Sequence, residues 1–452
     1  LRLANYTKEF NFNLKLAYPV MLGQLGHVLV GLADNVMVGR LGAIQLAAVS
    51  LGNSVVFIAL SIGIGFTFAI TPLIAEADSS KNIEKGRLDF QHGLLLSIVL
   101  GVVMFILLLL GKPLLNHMNQ PPEVVKLALP YMGIIAFSII PLMIFQASKQ
   151  FADGLSQTKH AMHAAIFANI INIVVNYFLI YGIWIFPRLE LIGAGIGTLF
   201  SRIAMVAFMW YILNTKPKFI PYIKLLSLAE IQKEKFKKII SLGFPTAMQM
   251  FFEVAVFTAA VWLSGTLGVI DQAANQIALN LASMTFMIAV GMGVAATIRV
   301  GNQKGLEQYI ELRRIALSIF LQIFLIEFVF AIGFLTLKNY LPLVYIDNWQ
   351  VIKTASTLLI VAGFFQISDG VQVVVLGALR GLQDVKIPTY ITFIAYWIVG
   401  FPISFFLGKT LGLGSQGIWI GLLSGLTASA LLLYLRFDYL TKKLIHSNHG
   451  TT

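Results

Sequence analysis

Twelve apolar stretches of about 20 residues follow one another along this 452-residue chain, and each is long enough to cross the ~30 Å hydrocarbon core of a bilayer as a helix. They lie near 14–38, 46–72, 92–114, 128–152, 161–185, 191–214, 240–264, 270–298, 315–338, 352–377, 388–408 and 414–436. A soluble domain carries roughly a quarter charged residues, whereas this chain has 12% charged and 58% hydrophobic residues. The expected fold class is therefore all-α integral membrane with twelve transmembrane helices. The chain has no Cys, which excludes a disulfide scaffold, a Cys-ligated zinc or iron–sulfur site and a thiol nucleophile.

A net charge of +12 raises the question of nucleic acid, and the placement of the basic residues answers it. With the N-terminus in the cytoplasm, the inner segments hold about 23 Lys and Arg, among them Arg2, Lys81, Lys233, Arg299 and Lys386, against about 7 outside, such as Lys112, Arg188 and Lys353. That asymmetry is the positive-inside pattern, with both termini cytoplasmic. The basicity reports topology, and no nucleic-acid partner is expected. The polar start, LRLANYTKEFNFNLKLAYPV, lacks a short apolar core, so no cleavable leader is expected there.

The chain repeats itself. An offset of 226 positions aligns residues 19–48 with 245–274 without a gap. It pairs Pro19 with Pro245, Gly39 with Gly265, Gly42 with Gly268 and Ala48 with Ala274. Gly63-x-Gly65 echoes Gly291-x-Gly293, and Gly154-Leu155 echoes Gly381-Leu382. Each half holds six spans. An even number makes the repeats parallel, two six-helix bundles suited to rocking about a central cavity. The expected organisation is an amino-terminal lobe over 1–214, a cytoplasmic linker over 215–239 rich in Lys, a carboxyl-terminal lobe over 240–436 and a cytoplasmic tail over 437–452.

Enzymatic and ATP-driven chemistry finds no support. Gly408-Lys409-Thr410 resembles part of a P-loop, but the first required Gly falls at Ile403. The Gly-x-Gly pairs lie within apolar spans, where small residues serve close helix packing. No His-Glu-x-x-His, Gly-x-Ser-x-Gly or EF-hand spacing occurs. The informative residues are ionisable groups at membrane depth, because a charge at a helix centre costs about 2.5 to 3.5 kcal/mol on insertion scales. These are Asp34, Arg202, Glu253, Glu327 and Asp369, with His27 at the repeat position of Glu253.

Glu253 follows Phe251 and Phe252 and precedes Phe257, and an acid among aromatic rings is chemistry for a cation. Asn172 and Asn176 stand at i and i+4, on one helix face, where amide oxygens suit Na⁺ or a proton-bearing network, or serve as interhelical glue. Thr198 and Arg202 share a face of span 6, and Arg202 is a candidate structural partner for Asp34. Glu327, in LQIFLIEFVFAIG, has no polar company in sequence and reads as structural or peripheral.

Three motifs in register carry a family resemblance. Asp34-Asn35-Val36-Met37-Val38-Gly39-Arg40-Leu41-Gly42, Ala273-Ala274-Asn275-Gln276-Ile277-Ala278, and Gly377-Ala378-Leu379-Arg380-Gly381-Leu382-Gln383-Asp384 with Pro388 resemble the multidrug and toxic compound extrusion (MATE) transporters, in particular their NorM branch. The resemblance covers roughly residues 10–440. It implies a bacterial inner-membrane antiporter, not an enzyme. Such a protein exports amphipathic organic cations in exchange for inward Na⁺ or H⁺, without a cofactor or obligatory protein partner, as a monomer in membrane lipid.

The resemblance further places Asp34, Asn172, Asn176 and Thr198 on an amino-lobe cation or proton site. It places Glu253 and Asp369 on a carboxyl-lobe site that could hold Na⁺, and Phe252, Gln276, Phe286 and Asp369 against substrate. Asn176 stands where some relatives carry Asp, and Phe286 where some carry Tyr, keeping the ring without the hydroxyl. The alternative within the superfamily is a lipid-linked oligosaccharide flippase, which should line its cavity with several Arg or Lys.

Overall fold

Hydrocarbon offers no water to backbone amides, so each must find its partner within its own segment, as a helix allows. The computed structural model describes residues 4–117, 120–224, 226–227 and 229–449, and among these every regular element is helical. Twelve segments are long and apolar enough to span a membrane, which makes the protein a multi-pass membrane protein. They are Phe10–Gly39 (span 1), Ala43–Ser79 (span 2), Ile83–His117 (span 3), Pro122–Gly154 (span 4), Thr158–Tyr181 (span 5), Glu190–Thr215 (span 6), Lys233–Gly265 (span 7), Val269–Gly305 (span 8), Tyr309–Leu337 (span 9), Trp349–Gly381 (span 10), Lys386–Thr410 (span 11) and Gly414–Ser447 (span 12). All twelve expected spans are present, and several outrun their apolar runs because polar ends continue in helix. Arg2 and the last three residues of the expected tail lie outside the described residues.

Proline marks the interruptions. Span 2 consists of helices Ala43–Thr67 and Ile70–Ser79, and span 4 of Pro122–Phe137 and Ile139–Gly154. Pro72 and Pro141 each stand third in the second piece, where the missing N–H and the ring's bulk break the ladder to the preceding turn. Span 11 passes from helix Lys386–Phe393 into wide π turns at Ile394–Gly400 and again at Phe406–Thr410, with Pro402 between them.

The chain divides into two compact units, Leu22–Ala247 and Leu1–Met21 with Met248–Thr452. Where the sequence boundary assigns all of 1–214 to one lobe, the described residues as far as Met21 group with the carboxyl half. Hydrogen bonding explains this. Glu9 receives Arg299 and Arg314, each at 2.8 Å, while Asn13 accepts from Arg299 at 2.6 Å and donates to Gln322 at 3.0 Å. The expected linker is anchored within the other unit. Lys218 pairs with Asp78 and Lys235 with Asp89, both at 2.6 Å, Arg87 pairs with Glu230, and Lys233 already begins span 7.

The repeat seen in the sequence recurs in backbone geometry within each unit. Gly42 and Gly268 precede spans 2 and 8 at φ +146° and +125°, a conformation that L side chains resist and glycine adopts freely. Gly154 and Gly381 repeat a close approach. A Cβ on Gly154 would lie 2.6 Å from Ile74 Cβ and 2.9 Å from Thr71 O, and one on Gly381 would lie 2.8 Å from both Val300 Cβ and Thr297 O. Thr71 and Thr297 themselves stand 226 residues apart.

Candidate functional site

The expected site residues of each unit lie on largely apolar helices. In the amino-terminal unit, Asn172 and Asn176 on span 5 are both buried and stack along one face. Asn176 donates its Nδ2 to Asp34 Oδ1 at 2.6 Å and to Asn172 Oδ1 at 3.1 Å, and Asn172 donates in turn to Thr198 Oγ1 at 3.5 Å. All four residues of the expected amino-lobe site are thus linked, across spans 1, 5 and 6. Gly197 makes room for them, since a Cβ there would overlap Asn176 Oδ1. That oxygen is buried without a hydrogen-bond partner, which leaves an acceptor beside the Asp34 carboxylate.

Arg202 is not the partner of Asp34 in this arrangement. It donates to Ser138 Oγ at 2.6 Å, at the break in span 4, and no ion pair within 4.0 Å joins it to Asp34 among the described residues. The two residues remain within electrostatic range. The break in span 4 explains this: Ser138 turns its own hydroxyl to Ile135 O at 2.6 Å and presents the oxygen to the guanidinium.

In the carboxyl-terminal unit, Glu253 on span 7 and Asp369 on span 10 interact electrostatically, and Arg380 faces Glu253. Asp369 is buried and its Oδ1 lacks a partner. Arg380 donates to Gln249 Oε1 at 3.2 Å, and Gln249 spends its own Nε2 on Val385 O at 3.1 Å and Thr389 Oγ1 at 3.0 Å. This chain of bonds holds the cation one turn from Glu253 along span 7. Two carboxylates within electrostatic range of each other in a medium of low dielectric favour neutralisation of one of them, by a cation or a proton, and Arg380 supplies part of that charge to Glu253.

The aromatic neighbours of Glu253 pack into the unit. Phe252 lies 5.0 Å from Phe393 and Phe257 lies 6.0 Å from Phe365, while Trp397 donates to Phe252 O at 3.3 Å. Gln276 is exposed and donates to Asn280 Oδ1 at 3.3 Å along its own helix, and Phe286 is half-buried. No hydrogen bond or ring contact joins Gln276 or Phe286 to Glu253 or Asp369 among the described residues.

Three charged residues stand otherwise than the sequence suggested. Glu327, read as structural or peripheral, is not peripheral: it is buried against span 10 and within electrostatic range of Asp369. The signal was present in span 10, where Gln366, Asp369 and Gly370 put two polar residues and a gap on one helix face. Arg299, counted with an inner loop, lies within span 8 and is neutralised by Glu9, and Arg380 likewise lies within span 10. Arg202 is therefore one of several Arg within spans. Among the described residues no three His, Asp or Glu are grouped so as to hold a metal ion by themselves, so a bound Na⁺ would need neutral oxygens as well as Glu253 and Asp369.

Residues 19–178 and 245–406 match the MatE family, one stretch in each half of the chain. The chain is 32% identical over 446 residues to the multidrug resistance protein NorM of Photobacterium profundum, covering 96% of each. In fold it is similar to a MOP superfamily transporter from Pyrococcus furiosus, with a TM-score of 0.87 at 22% identity over 96% of each chain. For that protein a binding pocket of reversed polarity has suggested a different function. It is also similar to a eukaryotic MATE transporter, with a TM-score of 0.87 at 18% identity over 97% of this chain and 99% of that one.

Proposed function

The chain belongs to the MatE family of membrane transporters, and from that premise we propose that it is a bacterial inner-membrane antiporter exporting amphipathic organic cations in exchange for inward Na⁺ or H⁺. The relative from Photobacterium is named a multidrug resistance protein, which supports the substrate class. The observation that carries the reading is that both units hold carboxylates on apolar helices, Asp34 hydrogen-bonded by Asn176 in one and Glu253 within electrostatic range of Asp369, whose Oδ1 is buried without a partner, in the other. Negative charge at membrane depth is costly. It is retained here where a cation can neutralise it.

The chemistry gives the exchange its logic. An inorganic cation or proton arriving at Glu253 and Asp369 removes the negative charge that holds the organic cation, so the two ligands compete for one charge. Asp34, held by the Asn176 and Asn172 amides, is a second point at which ion binding would alter packing between helices. Two acids suit a metal ion better than a single-proton switch, so Na⁺ is the favoured coupling ion. The transporter acts as a single chain in lipid, with both termini in the cytoplasm.

The experiment is accumulation of ethidium and of an anionic dye in cells with and without the protein. Lower ethidium accumulation with unchanged accumulation of the anion is expected. Equal export of both dyes contradicts the proposal and favours a site built for anions.

A further inference from the structure

A cavity of about 450 Å³ opens in the carboxyl-terminal unit where spans 8, 10 and 12 begin, at the level where their apolar runs start. In the expected topology this is the periplasmic edge of the hydrocarbon. The volume lies within the range of small-ligand sites, and the transport reading makes no use of it. Asp271 on the first turn of span 8 and Lys353 on the second turn of span 10 both line it.

These two charges face one cavity without meeting. Ser415 fixes the acid by donating its backbone N–H at 3.0 Å and its hydroxyl at 2.8 Å, both to Asp271 Oδ1, which leaves Oδ2 without a hydrogen bond among the described residues. No ion pair within 4.0 Å involves Lys353 among those residues. Thr354 gives its hydroxyl hydrogen to Gln350 O at 3.0 Å, so its oxygen remains an acceptor. The side-chain amides of Gln350 and Gln416, also in the lining, make no hydrogen bond with another lining residue. Residues next in sequence to the lining ones are apolar and open: Val269 is 82% exposed and Trp349 75%, and Leu413, itself in the lining, is exposed as well. Trp is favoured at the membrane–water boundary, where its ring is apolar and its N–H polar.

A ligand of one charge satisfies only one wall of this cavity. A phosphate joined by a short link to a primary ammonium satisfies both. The phosphate takes Lys353 and the two amides, and the ammonium takes Asp271 Oδ2 and Thr354 Oγ1, in hydrogen bonds strengthened by ionised partners. The apolar rim then receives acyl chains. We propose that this cavity binds the headgroup of a zwitterionic aminophospholipid, phosphatidylethanolamine in chemistry, with Asp271 on the amine and Lys353 on the phosphate. The amino half carries Gln45 at the repeat position of Asp271, so the site occurs once per chain.

The test is native mass spectrometry of the delipidated full-length protein with phosphatidylethanolamine, phosphatidylglycerol or phosphatidylcholine. It compares wild type, Asp271→Asn, Lys353→Met and, as control, Lys126→Met, an exposed lysine of the other unit. Wild type should retain one phosphatidylethanolamine more tightly than phosphatidylglycerol, which lacks the amine, or phosphatidylcholine, whose methylated nitrogen has no N–H to donate. Asn can still accept from Ser415 but carries no charge, so Asp271→Asn should lose the preference for phosphatidylethanolamine over phosphatidylglycerol by about tenfold. Lys353→Met should weaken all three lipids, and Lys126→Met should match wild type. Equal retention of the three lipids by wild type, or an unchanged preference in Asp271→Asn, overturns the proposal. If Asp271→Asn fails to fold, unchanged binding by Lys353→Met overturns it, because that exposed side chain carries no structural bond. Equal loss in Lys126→Met would reveal a general charge effect and overturns it too. Soluble phosphoethanolamine binding as tightly as the lipid would remove the membrane from the account and overturn it equally. Lipid retention needs no transport, so absence of ethidium efflux would end the antiport reading and leave this measurement unaffected.

Discussion

Asn176 donates to Asp34 at 2.6 Å, tying span 5 to span 1 at the one carboxylate of the amino-terminal cluster. The bond depends on Gly197, whose missing side chain leaves the volume that Asn176 fills. Asp34→Asn is expected to abolish ethidium efflux while the protein still reaches the membrane, because the amide keeps the shape and loses the charge. Gly197→Ala should also impair efflux, since the new methyl displaces Asn176, at a cost of about 1 to 3 kcal/mol in stability. Normal transport by Asp34→Asn, measured against membrane-fraction abundance, would remove Asp34 from the coupling machinery.

Topology gives a separate prediction. Reporter tags at both termini and near Lys233 should read cytoplasmic, and a tag near Arg188 periplasmic, because basic residues concentrate on the expected inner side. A periplasmic reading near Lys233 would reverse the assignment, including the anchoring of the linker to Asp78 and Asp89 as a cytoplasmic feature.

Glu9, outside the spans, supplies a pH dependence. Burial alone would lift its carboxyl, but Arg299 and Arg314 outweigh that and hold it below its ordinary value of 4.5. A carboxylate depressed in the folded state contributes stability that is present above the unfolded value and lost as pH falls through the folded one. Glu9→Gln should therefore melt earlier than wild type in detergent at neutral pH, and the two curves should converge at pH values well below 4.5. A difference that persists unchanged at low pH would mean that Glu9 acts by packing rather than charge.

The paired glycines predict equivalent damage in the two units. Gly154→Ala and Gly381→Ala each force a methyl against a threonine carbonyl and a β-branched side chain, and each should destabilise by about 1 to 3 kcal/mol. Thermal unfolding of the two variants tests this. A neutral effect at one site and a large one at the other would show that the repeat is not shared at this contact.

Much of this architecture was legible in sequence, for reasons that differ by feature. Span number follows from apolar length, which one dimension records fully. The match of Gly42 with Gly268 was visible as identity, and its cause is a backbone angle that glycine adopts readily. Asn172 and Asn176 were legible as a pair because helical spacing puts i and i+4 on one face. Contacts between helices distant in sequence were not legible. Arg202 finds Ser138 rather than Asp34 because span 4 breaks there, a consequence of Pro141 acting on the turn before it. Glu327 looked isolated because its neighbours, Gln366 and Asp369, stand on the next helix, about 40 residues away in the sequence.

The central claim is that Glu253 and Asp369 couple an inward cation to an outward drug. One-for-one exchange of monovalent cations moves no net charge, so the drive is the ion's concentration gradient, worth about 1.4 kcal/mol per tenfold. The most direct measurement is ethidium efflux from proteoliposomes under an imposed Na⁺ gradient, and separately a pH gradient, for wild type, Glu253→Gln, Asp369→Asn and the double variant. Efflux by the wild type that rises with the Na⁺ gradient is predicted, with loss of ion-dependent efflux in each variant. Efflux driven fully by pH and indifferent to Na⁺ would assign the coupling to protons. Full gradient-dependent efflux by the double variant would contradict the claim itself.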